Sequence, residues 1–367
     1  MKVNLINLSK QWTEDLPKLL PNLKKTLISG QYIGGFLIKK IENKISKKIG
    51  VKYTVSLNSG TDALMMALWA LGVKKNDEVI TQSNSFIATA GSIAHLGAIP
   101  IFADVKKDQM ICPDEIENKI TKKTKAIIPV HLTGRIADMK KINKISKKYN
   151  IPVIEDAAQA FGSKQNNIYA GALGTCGCFS AHPLKNLNAM GDAGFLTTNN
   201  YSIYKKIKLY ANHGLENRNN AKFFGVNSRL DALQASVIDH RLNTLDKVIK
   251  KRRSNAKIYL KYLKNKNIEF IEEEKFNFHS YHLFVVKIKK NRNNLMKYLL
   301  KNGVQTSIHY PIPIHLQKAS KKYGYKIGDF PETEIQANQI LSLPINQYLS
   351  KKQILFVIKL INNFYDK

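Results

Sequence analysis

The strongest constraint on this chain is an alternation running through its first two thirds, where short apolar runs rich in β-branched residues are separated by stretches of helical spacing. Residues 53–57, 78–81, 99–104, 126–130, 153–155, 176–180 and 194–198 read as strands, and 61–71, 88–96, 114–120 and 136–149 as helices. Parallel strands need long crossovers and bury both faces, so this order predicts an α/β protein with a mostly parallel central sheet and helices on both faces. After Leu230 the texture changes to a long helical stretch, 230–263, then a strand at 281–287, a helix at 292–302, a strand at 304–309 and a last helix from Lys351. A large domain over 1–240, its first thirty or so residues an arm or helix, and a smaller α+β domain over 241–367 are therefore expected.

Composition narrows the function classes. At 367 residues and 44% hydrophobic content the chain can bury a real core, which excludes disordered and collagenous classes. Three cysteines at this length point to a reducing compartment, and Cys176-x-Cys178 lacks the spacing and the second pair of a zinc site, so no metal is expected. The start has no apolar signal core and no apolar run reaches the roughly 18 residues that span a bilayer, so a cytoplasmic protein without a membrane role is expected. The formal charge of +31 invites a polyanion, yet only seven of the 58 basic residues are Arg, the residue favoured for bidentate phosphate and base recognition. Pairs such as Lys122-Lys123, Lys140-Lys141 and Lys147-Lys148 read as solvated faces. No nucleic-acid partner is expected, while a field that draws in a phosphorylated substrate stays open.

Three segments carry chemistry. In Asn58-Ser59-Gly60-Thr61-Asp62 a strand runs through small residues into a helix, which aims backbone N–H groups and the hydroxyls of Ser59 and Thr61 at one point, an anion site that is also an ordinary N-cap. In Ile154-Glu155-Asp156 a carboxylate ends an apolar strand, where open α/β sheets bind ligands, although a helix N-cap reads the same way. In Phe179-Ser180-Ala181-His182-Pro183-Leu184-Lys185 a lysine stands in an uncharged stretch, and a lysine among apolar groups loses proton affinity and becomes a nucleophile and base. Phosphate cradle, carboxylate and amine together suit pyridoxal 5'-phosphate (PLP).

At this point the sequence resembles the PLP-dependent sugar-nucleotide aminotransferases of the DegT/StrS type, of PLP-dependent transferase fold type I. The likeness runs nearly end to end, through Gly30-Gln31-Tyr32-Ile33-Gly34-Gly35, Ser85-Phe86-Ile87-Ala88-Thr89-Ala90, Pro129-Val130-His131-Leu132-Thr133-Gly134, Gly191-Asp192-Ala193-Gly194, Val226-Asn227-Ser228-Arg229 and His309-Tyr310-Pro311-Ile312-Pro313-Ile314-His315. The resemblance implies that Lys185 holds the cofactor as an internal aldimine and that Asp156 pairs with the pyridine nitrogen. It implies further that Ser59, Gly60, Thr61 and Ser180 contact the phosphate, that Gln159 lies near the ring and that Phe86 stacks on it. Asn227 matches a residue that reaches the neighbouring subunit's cofactor, which implies a homodimer with shared active sites. Arg229, His309, Tyr310 and His315 are candidate substrate contacts, and a structural role for both histidines and for Arg229 stays open.

The implied reaction moves an amino group from L-glutamate, leaving 2-oxoglutarate, to a nucleotide-linked keto-sugar in ping-pong turnover. A 3-keto sugar is favoured by Lys185-Asn186-Leu187 with Gly191-Asp192-Ala193-Gly194, and a 4-keto sugar is the alternative. A PLP-dependent sugar-nucleotide dehydratase is the rival enzyme reading, disfavoured because that branch replaces the lysine with His. A non-enzymatic ligand-binding regulator on the same fold is the other. Ala181 and Thr133 depart from the family's common aromatics and are expected to open space near the cofactor. His279 and His282 read as surface or boundary residues, Met65, Met66 and Trp69 as core packing, and Glu272, Glu273 and Glu274 as an acidic loop without a partner.

Overall fold

The computed structural model describes residues 1–271, 273 and 276–366. Seven strands form one central sheet: β1 (Tyr53–Leu57), β2 (Glu78–Gln82), β3 (Ile99–Ala103), β4 (Thr124–Ile128), β5 (Ile154–Asp156), β6 (Cys176–Ser180) and β7 (Gly194–Thr198). Their order is β1-β7-β6-β5-β4-β2-β3, with β4 and β5 joined by the bridges Ile127 to Val153 and Val130 to Asp156. Every neighbouring pair is parallel except those made by β7, which runs antiparallel to β1 and β6.

Side chains alternate across the sheet with the two-residue period of a strand. Ile127 joins one core with Ile41, Ile45 and Ile49 of α2 (Gly35–Ile49), Met139, Ile142 and Ile145 of α6 (Met139–Tyr149) and the first half of α8 (Ala232–Tyr262). Its neighbours Ala126 and Ile128 join the other, with Ala63, Leu64 and Met66 of α3 (Gly60–Ala70) and Ile203 and Ile207 of α7 (Tyr201–Tyr210). Helices thus cover both faces, as expected. Cys176 and Cys178 are buried on this opposite face of the central sheet, and Trp69 stacks on Tyr210 with centroids 4.1 Å apart. Local signals set the helix ends: Asp138 caps α6 by accepting from the Lys141 N–H at 3.1 Å, and Asn150 closes it at φ 53°.

A second sheet of β8 (Ile268–Phe270), β9 (Phe284–Ile288) and β10 (Ile340–Leu343) is antiparallel and packs on α9 (Arg292–Lys301), α11 (Lys351–Tyr365) and the end of α8. Under this sheet lies a second core, and the passage to it from the core of the central sheet falls inside α8, between Ile249 and Ala256, with Val3 on the second core's side, whereas the sequence places the change at 240/241. The strand expected at 281–287 starts later because Tyr281 is left-handed at φ 49°. Residues 304–309 make only the bridges Val3 to Val304 and Ser307 to Ser342, since their partner changes along the segment. The first helix, α1 (Leu8–Ile28), contains Pro17 and Pro21 and buries only Gln11 and Leu19.

Candidate active site

The site lies at the carboxyl edge of the central sheet, where β1, β5 and β6 end around a cavity of about 350 Å³. After β1, Ser59 caps α3, its hydroxyl accepting from the Asp62 N–H at 3.0 Å. The first amides of a helix have no carbonyl a turn before them, so Gly60 and Thr61 present free N–H groups and the positive dipole end. Two glycines make the approach possible. A Cβ on Gly60 would stand 2.9 Å from the Ser180 Cβ, and one on Gly194 would stand 2.2 Å from the Ser59 carbonyl carbon. The turn therefore rests against Ser180, whose oxygen accepts from the His182 N–H at 3.3 Å and whose own proton remains available.

At the end of β5 the buried Asp156 accepts from the Thr89 hydroxyl at 2.7 Å and from the Ala158 N–H at 3.2 Å, and Thr89 also meets the Ser85 hydroxyl at 2.8 Å. Burial raises the Asp156 proton affinity, opposed by those two donors and by Lys185. Beneath it, Glu155 and His131 are fully buried and paired at 2.9 Å. The Ala137 N–H points at His131 Nδ1, so Nε2 carries the proton given to Glu155. Gln159 accepts from the Thr133 N–H at 2.7 Å and donates to the Tyr310 hydroxyl at 3.1 Å.

Lys185 follows β6 in the loop leading to β7. Burial pushes its amine down to about 8, with Asp156 pulling the other way. His309 is pushed down to about 4 by burial and by Lys185, and His282 is lowered for the same reasons. Phe86 stays half-exposed over the cavity, 5.7 Å from the Tyr310 ring.

The structure brings Ser59, Gly60, Thr61, Phe86, Asp156, Gln159, Ser180, Lys185, His309 and Tyr310 to this one cavity. Three candidates lie elsewhere. Asn227 is exposed and bridges Asn212, and Arg229 donates to Asn212 Oδ1 at 3.0 Å beside a separate cavity. His315 is buried with both ring nitrogens engaged, Nδ1 to Ser83 at 2.6 Å and Nε2 to Glu334 at 3.1 Å, so it locks its segment and has no nitrogen left for a substrate.

Other expectations are corrected. Ala181 is buried in the first core and Thr133 faces His279, so neither widens the cavity. His279 and His282 are buried, and His282 lines the cavity. Glu273 has partners, accepting from Arg253 at 2.7 Å and from the His279 N–H at 2.8 Å, while Glu272 and Glu274 lie outside the described residues. Sequence reasoning missed the roles of Leu5, Ile6, His182 and Asp192 as cavity wall, and of Thr89, which only the fold brings to Asp156. Among the described residues no cluster of His, Cys, Asp and Glu could hold a metal, and no helix is long and apolar enough to cross a membrane.

Comparison with known proteins gives one pattern. The model of the DegT/DnrJ/EryC1/StrS aminotransferase family matches residues 16–362. A dTDP-3-amino-3,6-dideoxy-alpha-D-galactopyranose transaminase of Aneurinibacillus thermoaerophilus is 39% identical over 343 residues, 93% of this chain and 94% of its own. A pleiotropic regulatory protein of Geobacillus stearothermophilus is 38% identical over 369 residues, covering 100% of this chain and 99% of its own. The crystal structure of S. venezuelae DesV in complex with a ketimine intermediate superposes with a TM-score of 0.97 at 32% identity, covering 100% of this chain and 99% of that one.

Proposed function

The chain belongs to the DegT/DnrJ/EryC1/StrS aminotransferase family, and from that premise we propose that it moves an amino group from L-glutamate to C3 of a nucleotide-linked keto-sugar, with PLP held in the cavity at the sheet edge. The residues present fit this group: a buried carboxyl whose Thr89 and Ala158 donors favour its anion, a helix N-terminus beside a hydroxyl free to donate, and an amine already tilted toward its neutral form. PLP supplies an aldehyde that bonds amines and a protonated ring that takes up the electron pair left when an amino-acid Cα loses its proton.

Each residue then has a task. Ser59, Gly60 and Thr61, with the Ser180 hydroxyl, bind the phosphate. Asp156 would hold a proton on the ring nitrogen, and the Thr89 hydroxyl favours the ionised form of that carboxyl against its burial. Phe86 would stack on the ring, and Gln159, which donates to the Tyr310 hydroxyl, would lie near it. Lys185 would be the nucleophile for the aldehyde and, once displaced by the donor, the base that would take the proton from Cα and deliver it to the cofactor's former aldehyde carbon, on the other side of the shared nitrogen. His309 and Tyr310 face the substrate side. Asn227, exposed and outside its own cavity, serves the site of a second copy, so the working unit is a homodimer. The C3 assignment draws on the relative whose product name places the amine there, and on the Gly191-Asp192-Ala193-Gly194 run.

The carrying observation is that Lys185, Asp156 and the Ser59–Thr61 turn open onto one cavity. The test is a purified protein loaded with PLP and offered L-glutamate, followed by dTDP- and UDP-linked 3-keto and 4-keto sugars, with products read by mass spectrometry. Glutamate is expected to bleach the visible absorbance and the 3-keto sugar to gain one amine, and Lys185→Ala to abolish both. Amination at C4, or deoxygenation without nitrogen, would overturn the respective part of the assignment.

A further inference from the structure

A helix normally earns its place by burying an apolar stripe, and α1 does not. Of its 21 residues it buries Leu19 and the polar Gln11. Gln11 meets Asn188, three residues beyond Lys185, in a reciprocal amide pair: Gln11 Nε2 donates to Asn188 Oδ1 at 3.0 Å, and Asn188 Nδ2 donates to Gln11 Oε1 at 3.0 Å. Asn188 Nδ2 also donates to the Pro183 carbonyl, which fixes which way its amide faces and closes the loop on itself. Behind the pair, Arg241 Nη1 donates to the carbonyls of Asn188 and Ala189 at 3.0 and 3.1 Å. That guanidinium is anchored on α1 as well, since its Nε donates to Asp15 at 2.9 Å and it lies 4.6 Å from the Trp12 ring. On the other side of the loop, Asn186 donates to the Ser280 carbonyl at 3.2 Å.

We propose that α1 is the support of the Lys185 loop and that Gln11, through Asn188, is a positioning residue for the amine. The inference rests on the proposed role of Lys185 as the reacting lysine. Its physical basis is that a side-chain amide pair sealed from water holds the loop in one place, whereas a loop lacking it admits water around the ammonium. Lys185 is faced by Asp156 from β5, by His282 and His309 from the second domain, and by His182 of its own loop. These stay in place in a Gln11 variant, so a change in amine behaviour reports the loop.

The experiment labels Lys185 in the cofactor-free protein with formaldehyde and borohydride across pH, quantified by peptide mass spectrometry. Wild type should give a midpoint near 8, because burial favours the neutral amine. Gln11→Met, which keeps the volume and loses the amide, should move the midpoint up by about one unit, leaving about fivefold less reactive amine at pH 8. PLP should bind at least about tenfold more weakly to this variant. Gln11→Asn combined with Asn188→Gln, which restores an amide pair of the same total length, should recover most of both. The proposal is overturned if Gln11→Met and Gln11→Ala label within twofold of wild type at pH 8, or if they lower only the melting temperature. Wild type that labels normally with formaldehyde but forms no PLP adduct at Lys185 would sink the functional reading instead, and leaves the loop result to stand by itself.

Discussion

Among single residues, Asp156 and Lys185 open onto one cavity, with the Thr89 hydroxyl 2.7 Å from the carboxylate. Asp156 closes an apolar run and Lys185 stands in an uncharged one, so both announce themselves. Thr89 does not, because one hydroxyl in an Ala-rich helix carries no pattern until the fold sets it 2.7 Å from Asp156. His282 reads as a surface residue because its burial comes from neighbours remote in sequence. A hydrogen bond to a charged group contributes about 1.5–3 kcal/mol, and tenfold is about 1.4 kcal/mol. Thr89→Val is therefore expected to slow the glutamate half-reaction by about tenfold or more, with Thr89→Ser near wild type. The variant's carboxyl loses a donor to its anion, so Asp156 keeps its proton to higher pH and the acid limb of the rate profile moves upward. Stopped-flow absorbance across pH measures both.

At the scale of elements, the seven strands of the sheet were readable because their apolar runs are short, β-rich and bounded by turn residues. Residues 176–180 and 194–198 match β6 and β7 to the residue. The first thirty residues were expected as an arm or helix, and what escaped was the packing of that helix, which has no period to read. α1 buries two side chains and contains two prolines, and its partner Asn188 lies 177 residues away from Gln11. The close passage of β7 against the Ser59–Thr61 turn is also an element property, visible in the sequence only as one glycine among many. Gly194→Ala puts a methyl group into the backbone of Ser59 and Gly60, neither of which can turn aside as a flexible side chain would. Overpacking of this kind costs about 1–3 kcal/mol. A lowered melting temperature together with weaker PLP binding is expected from calorimetry and titration, and a variant with wild-type affinity would show that the turn does not depend on this contact.

For the molecule as a whole, the excess of positive charge sits on solvated faces, as Lys122, Lys123, Lys140, Lys141, Lys147 and Lys148 are all exposed. Such a field acts at long range and is screened over about 8–10 Å at physiological salt. Its expected effect is on encounter with a diphosphate-bearing substrate: kcat/KM should fall several-fold from low salt to about 0.3 M, while kcat stays level. Salt-independent kcat/KM would assign the charge no part in substrate capture. The first residues of the chain run from the core under the second sheet to the cavity. Val3 joins the second core and bridges Val304, and Leu5 and Ile6 then wall the cavity before α1 begins. The segment from Val3 to Ile6 is thus working architecture, and a bulky group joined beside it is expected to disturb a wall of the candidate cavity, to which α11 contributes no residue.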